Sequence, residues 1–209
     1  MYFIAQLYIN MEFKLSVSTQ LPSGWEPFGN FFSRWLGRTA LKLTGWKIEG
    51  QLPNENKLMF SVAPHTSNFD FLIGLMVMFQ IGFKINWIAK HSLFRWPVKG
   101  LLEYLGGIPV YRHAPRGFIE QVVDQFNSHE KLHIAVAPEG TRSKVGKFKT
   151  GFLRIAEGAS IPVLRVGFDY KRKTVVFGDL FYPTGDIKAD ERACYEYHQQ
   201  FTGRVPDQY

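Results

Sequence analysis

The chain of 209 residues carries a single cysteine, Cys194. One thiol excludes an internal disulfide and a cysteine-built metal site, and it suits a reducing compartment. Long apolar runs are also missing. The most apolar stretch, Phe71 to Phe83, is interrupted by Gln80 and falls short of the roughly 18–20 residues a spanning helix requires. The opening MYFIAQLYINMEF lacks the positive n-region and small-residue cleavage site of a secretory signal. Residues 1–24 therefore read as an extension without a function of its own, with Met11 as an alternative start. There is no internal repeat and no low-complexity run. A phosphate-binding loop for nucleotides is excluded as well: five residues separate Gly140 from Gly146, and Phe148 follows Lys147 where a hydroxyl residue is needed. No Gly-x-Ser-x-Gly elbow offers a serine nucleophile.

What is present is a globular composition, 45% apolar and 21% charged, long enough for one domain with a full core. Aromatic residues reach 16%, with 19 Phe and 5 Trp, a supply that fills a core and can also furnish an interfacial belt. The net charge of +7 favours an anionic partner: nucleic acid, anionic lipid or a phosphorylated substrate. The basic residues cluster around short motifs and one helix without a nucleic-acid-binding signature, which sets that class last.

From Lys57 onward, short apolar runs alternate with helical patterns. Strands are expected at Lys57–Val62, Ile85–Ala89, Ile108–Tyr111, Leu132–Ala137, Ile161–Val166 and Thr174–Phe177. Helices are expected near Ser67–Phe79, Ser92–Tyr104, Pro115–Asn127 and Gly151–Ala159. Most of these strands lack polar alternation, as strands covered on both faces do. The expected fold is α/β: a single layered domain with a mixed, largely parallel sheet flanked by helices. Its expected extent is 51–209, preceded by an amphipathic helical segment at 25–50. Within that segment Phe31, Phe32, Trp35, Leu36, Ala40 and Leu43 recur at helical spacing, while Arg34, Arg38 and Lys42 line another face. Such a helix either lies in a membrane interface or packs its apolar side on the core. Trp25, Trp35 and Trp46 stand where interfacial anchors would serve.

Two clusters carry chemistry. In Pro64-His65-Thr66-Ser67-Asn68-Phe69-Asp70, His65 leaves a strand at its C-terminal end and Asp70 falls in the first turns of the next helix. A loop at His65 lets the carboxylate fold back onto the ring, fix its tautomer and leave Nε2 as a general base. A loop histidine beside a helix-capping Asp accounts for the same residues, with Ser67 or Thr66 as an alternative cap. The second cluster, Ala137-Pro138-Glu139-Gly140-Thr141-Arg142-Ser143, again follows a strand, where open α/β sheets place their ligands. Gly140 permits close backbone approach, and Arg142 offers a fork for phosphate. A solvated basic turn is the plainer alternative. Arg112, at the end of Gly106-Gly107-Ile108-Pro109-Val110-Tyr111-Arg112, either faces the same anion or is a surface residue.

Together, in this order, the segments resemble the glycerolipid acyltransferase family that includes 1-acylglycerol-3-phosphate acyltransferase. His65-x4-Asp70 matches its His-x4-Asp motif, and Glu139-Gly140-Thr141-Arg142 its Glu-Gly-Thr-Arg motif. Gly107 to Arg112 resembles the middle motif, with Pro109 and Tyr111 as departures, and Ile161-Pro162-Val163 the fourth. Ala89-Lys90-His91-Ser92-Leu93 is similar to the family's Ala-Lys-x-x-Leu segment. Pro64, where Asn is usual, and Ala137, where Phe is common, depart from the pattern.

The resemblance implies direct acyl transfer from acyl-CoA or acyl-carrier protein to a lysophospholipid hydroxyl, 1-acylglycerol-3-phosphate first among acceptors. It implies His65 and Asp70 as the catalytic pair, and Lys90, Arg112, Glu139, Gly140, Thr141 and Arg142 as acceptor-binding residues. No metal or cofactor beyond the acyl donor is implied. The expected location is cytoplasmic and peripheral, on the inner face of a membrane, held by the Phe28–Leu43 helix. Phe71, Leu72, Leu75 and Met76 are candidates for an acyl groove or for ordinary core. A non-catalytic lipid- or anion-binding module and an acyl-thioester hydrolase using activated water are the alternative readings.

Overall fold

The computed structural model describes residues 23–111, 117–141 and 145–205. A helix, α1 (Phe31–Thr44), comes first, followed by a short strand, β1 (Lys47–Gly50). Next come β2 (Lys57–Ala63), α2 (Asn68–Ile81), β3 (Asn86–Lys90), α3 (Lys99–Tyr104) and β4 (Gly107–Val110). The chain continues through α4 (Phe118–Ser128), β5 (Leu132–Val136), α5 (Gly151–Gly158), β6 (Val163–Asp169), β7 (Thr174–Phe181) and α6 (Ile187–His198). The strands form one seven-stranded sheet in the order β1-β7-β6-β2-β5-β3-β4. Only the β6–β7 pair is antiparallel; every other neighbour runs parallel. The sheet is thus mixed and largely parallel, as the apolar, unalternating strands require.

One buried cluster lies against each side of the sheet's interior. Met59, Ile134, Val163, Leu153 and Ile155 build one with α4 and α5. Leu58, Phe60, Val166, Val77 and Leu41 build the other with α1 and α2. β1 lies within the stretch read as a helical segment and closes one edge of the sheet against β7, Lys47 to Gly50 facing Thr174 to Phe177. Trp25 and Trp46 are buried, which corrects their reading as interfacial anchors. Trp25 stacks on His133 at 3.8 Å and donates from its indole to the Pro53 carbonyl at 2.7 Å. Trp46 meets Tyr170 edge-on at 4.9 Å.

The helix expected at Ser92–Tyr104 is shorter. A 3₁₀ turn spans His91–Leu93, and regular helix begins only at Lys99. Pro97 lacks an N–H and disfavours the helical conformation for Trp96, so the helix starts beyond it.

Helix α1 is capped by Asn30, whose side chain accepts from the Ser33 N–H, and ends at Gly45 with φ of 77°. It packs on α2 through Gly37. A Cβ at that position would lie 2.6 Å from both the Gln80 nitrogen and the Met76 oxygen, which are backbone atoms and cannot swing away. Gly37→Ala is therefore expected to push the helices apart and cost about 1–3 kcal/mol of stability. Urea unfolding of the variant checks this; an unchanged midpoint would mean the two helices separate freely.

The apolar residues that marked α1 in sequence are mostly the ones it leaves in solvent. Phe31, Phe32, Trp35, Leu36 and Leu43 are exposed, Phe31 by 86%, while Gly37 and Leu41 face the core. No helix among the described residues is long and apolar enough to cross a membrane.

Candidate active site

The strand order puts the C-terminal ends of β6, β2, β5, β3 and β4 side by side, all pointing the same way. His65 leaves β2, Glu139 to Thr141 leave β5, Lys90 ends β3, Tyr111 follows β4 and Tyr170 follows β6. Ligand sites of open α/β sheets lie at this edge because loops there are free to vary above a rigid frame.

Ser67 caps α2: its Oγ accepts from the Phe69 N–H at 3.2 Å, and Asp70 reaches back to accept from the Ser67 N–H at 2.8 Å. This capping box satisfies backbone donors that the helix start leaves open. The same Asp70 Oδ2 lies 3.2 Å from His65 Nδ1. The other oxygen, Oδ1, accepts from the Tyr170 hydroxyl. Capping and histidine orientation, alternatives in the sequence, are performed together, because a carboxylate has two oxygens and about four acceptor sites.

Asp70 is 1% exposed, whereas the His65 side chain retains 26% of its surface. An imidazole held at Nδ1 by a buried carboxylate presents Nε2 as the basic nitrogen. Burial, followed by the bond to Asp70, pushes the Tyr170 hydroxyl far above the ordinary phenol range, so it stays a donor.

Glu139 sits behind the histidine. It is 3% exposed, and both its oxygens lie 3.0 Å from the His65 backbone nitrogen, accepting its N–H. Burial raises its carboxyl to about 7, opposed by that bond to His65. The residue read from the resemblance as an acceptor-binding group thus accepts from the main chain of His65.

Gly140 adopts φ of 63°, the left-handed region open to glycine, and donates its N–H to the Ala137 carbonyl at 3.1 Å. The Lys149 side chain crosses it: a Cβ on Gly140 would stand 2.8 Å from Nζ. Thr141 and Lys90 are exposed at the same edge of the sheet. Arg112 and Arg142, the two expected phosphate clamps, lie outside the described residues. Of the groove candidates, Phe71 packs edge-on against Trp87 at 4.9 Å, Met76 joins the core cluster and Leu72 is exposed. Among the described residues no group of three His, Cys, Asp or Glu side chains is arranged to hold a metal.

Sequence reasoning missed Tyr170 and the C-terminal segment 201–205, which lies over the His65 loop. Val205 donates its N–H to Thr66 Oγ1 at 3.3 Å, and Arg204 donates to Ser67 Oγ at 3.1 Å while its guanidinium lies 3.5 Å above the Phe69 ring. No short motif could have flagged these residues, since they are separated from their partners by 100 or more positions.

The acyltransferase family model matches residues 47–169. A 1-acyl-sn-glycerol-3-phosphate acyltransferase of Cocos nucifera is 28% identical over 144 residues, covering 65% of this chain and 46% of that protein. The chain thus spans a little under half the length of this curated relative. The crystal structure of a 1-acyl-sn-glycerophosphate (LPA) acyltransferase, PlsC, from Thermotoga maritima shares the fold with a TM-score of 0.57 at 22% identity. That likeness covers 81% of this chain and 76% of the other.

Proposed function

The chain belongs to the acyltransferase family, and from that premise we propose that it transfers a fatty acyl group from a thioester to the free hydroxyl of a lysophospholipid, with 1-acylglycerol-3-phosphate first among acceptors. The observation that carries the reading is the partly exposed His65 with Nδ1 on buried Asp70 at the ligand-binding edge of the sheet.

In this reading His65 Nε2 takes the proton of the acceptor hydroxyl as its oxygen attacks the thioester carbonyl. The resulting oxyanion collapses, the C–S bond breaks, and the imidazolium returns its proton to the departing thiolate. Ester and free thiol are the products, and no acyl-enzyme forms. Asp70 holds the ring and stabilises the transient imidazolium. Lys90 and Lys149, together with Arg112 and Arg142, supply positive charge for an acceptor phosphate. Acyl-CoA and acyl-carrier protein both fit as donors.

The same reading places the enzyme peripherally on a membrane, on the inner face, because its acceptor is a lipid. The exposed aromatic side of α1 supports this, flanked by the exposed cations Arg34, Arg38 and Lys42. Trp96, 92% exposed between Arg95 and Lys99, adds a second apolar point with basic neighbours. Exchanging Phe32 and Trp35 together for Ser is expected to weaken binding to vesicles containing anionic lipid by at least about tenfold. Raising the salt should weaken the wild type further, since each basic residue near such a surface contributes about 1 kcal/mol that ions screen. Vesicle sedimentation with unchanged binding by the double variant would dismiss α1 as the anchor.

The test of activity is thiol release from palmitoyl-CoA and from an acyl-carrier-protein thioester, with and without lysophosphatidic acid. Acceptor-dependent release is expected. Release that ignores the acceptor would establish a hydrolase, and none with any donor or lysolipid would leave a binding module.

A further inference from the structure

We propose that Tyr170 is a positioning residue of the site, holding Asp70 so that its second oxygen meets His65 Nδ1; this rests on the reading of His65 as the base. Tyr170 is the first residue beyond the 47–169 family match, and no motif contains it. Its placement nevertheless follows from the sheet. β6 runs parallel beside β2, with Ala63 opposite Gly167, so the residue just past the end of β6 reaches the loop just past the end of β2.

Three contacts fix the phenol. Trp46 meets its ring edge-on at 4.9 Å, its backbone N–H donates to the Thr202 carbonyl at 2.9 Å, and its hydroxyl donates to Asp70 Oδ1. Both oxygens of Asp70 are then engaged: Oδ1 by Tyr170, Oδ2 by the Ser67 N–H and His65 Nδ1. Without the Tyr170 donor the carboxylate would be held on its Oδ2 side only, by the Ser67 N–H, and would be free to tilt out of line with Nδ1. With Oδ1 tied down, Oδ2 stays in line with the imidazole. The hydroxyl's hydrogen bond goes to Asp70, so it acts on catalysis through that carboxylate. Its counterpart on the other side of the loop is Glu139, which holds the His65 main chain. Side chain and backbone of the base are thus located by separate residues from the strands on either side of β2.

Tyr170→Phe keeps the ring against Trp46 and removes only the donor. We expect kcat to fall about tenfold with KM for the acceptor unchanged, because a misdirected base impairs the transition state without touching acceptor binding. A second readout is independent of turnover. In protein labelled with ¹⁵N-histidine, His65 should hold its proton on Nδ1 in the wild type and show a mixture of the two tautomers in Tyr170→Phe. A change of tautomer without any activity in either protein would sustain Tyr170 as the orienting group while removing the acyltransferase reading. If the variant melts with the wild type and keeps both kcat and the single tautomer, the proposal is overturned. Should Tyr170→Phe fold poorly, 3,5-difluorotyrosine introduced at position 170 alone keeps the ring and strengthens the donor. The Nδ1-protonated tautomer must then persist, and its loss would overturn the proposal equally.

Discussion

His65→Ala is expected to abolish acceptor-dependent thiol release, a loss of at least about 10²–10⁴-fold, while circular dichroism and the melting temperature stay near the wild type. The fold tolerates the change because the His65 side chain is not part of either buried cluster, and its backbone N–H, which Glu139 receives, remains in the variant. The loss is large because no other described imidazole is shown with a carboxylate on one nitrogen at this edge of the sheet: His91, just past β3, stacks on Tyr111, and His133 and His198 are enclosed in the core on backbone carbonyls. Asp70→Asn should lose turnover less completely, since an amide can donate to the ring and favour the wrong tautomer without emptying the site. Thiol release that survives His65→Ala at a wild-type rate would remove the general-base mechanism altogether.

The second large effect concerns stability and pH. Glu139 titrates near 4.5 when the chain is unfolded and near 7 when folded, because burial penalises its charge. The folded-state value is raised, so between those two pH values the native protein binds a proton that the unfolded chain has released. Stability then falls as pH rises through that window. The penalty is absent below about 4.5 and complete above about 7, where this one group costs on the order of 3 kcal/mol. In Glu139→Gln the amide oxygen still accepts the His65 N–H but nothing titrates. Urea unfolding at pH 5 and pH 7.5 should therefore show the wild type losing stability relative to Glu139→Gln as pH increases. Parallel pH dependence in the two proteins would mean that Glu139 is ionised throughout the range.

These expectations give the Glu-Gly-Thr-Arg segment a division of labour that its sequence does not display. Glu139 faces inward, to the His65 loop, whereas Thr141 turns outward at the C-terminal edge of the sheet. Gly140 is the hinge between them, its positive φ reversing the chain after Glu139. A larger residue there would also strike the Lys149 side chain.

Local chemistry accounts for much of what could be read without a structure. Short runs such as Leu58 to Val62 and Leu132 to Val136, each with a single polar residue and no alternation, fit strands covered on both faces, which is why their alternation with helices led to a largely parallel sheet. Ser67 followed by Asp70 is a capping box, and it starts α2 where the pattern placed a helix. Pro97 delays α3 by steric necessity, a signal present in the sequence but outweighed there by the apolar pattern around it. Charge and spacing marked one side of α1 as apolar, but not which way that side faced. The close approach of Gly37 to α2 turns the helix so that Phe31, Phe32 and Trp35 point away from the core.

The chain's periodicity, caps and motif order were thus determined by the sequence alone, because each depends on neighbours within a few residues. Tertiary structure decided which distant groups meet. Sheet order sets β6 and β5 on either side of β2, bringing Tyr170 to Asp70 across 100 positions and Glu139 to the His65 backbone across 74. It also buried Trp25 and Trp46 while leaving Trp35 in solvent. Strand order has no period and no local cap. It follows from how the whole chain buries its apolar surface, so the groups that hold Asp70 and the His65 loop became visible only once the sheet was assembled.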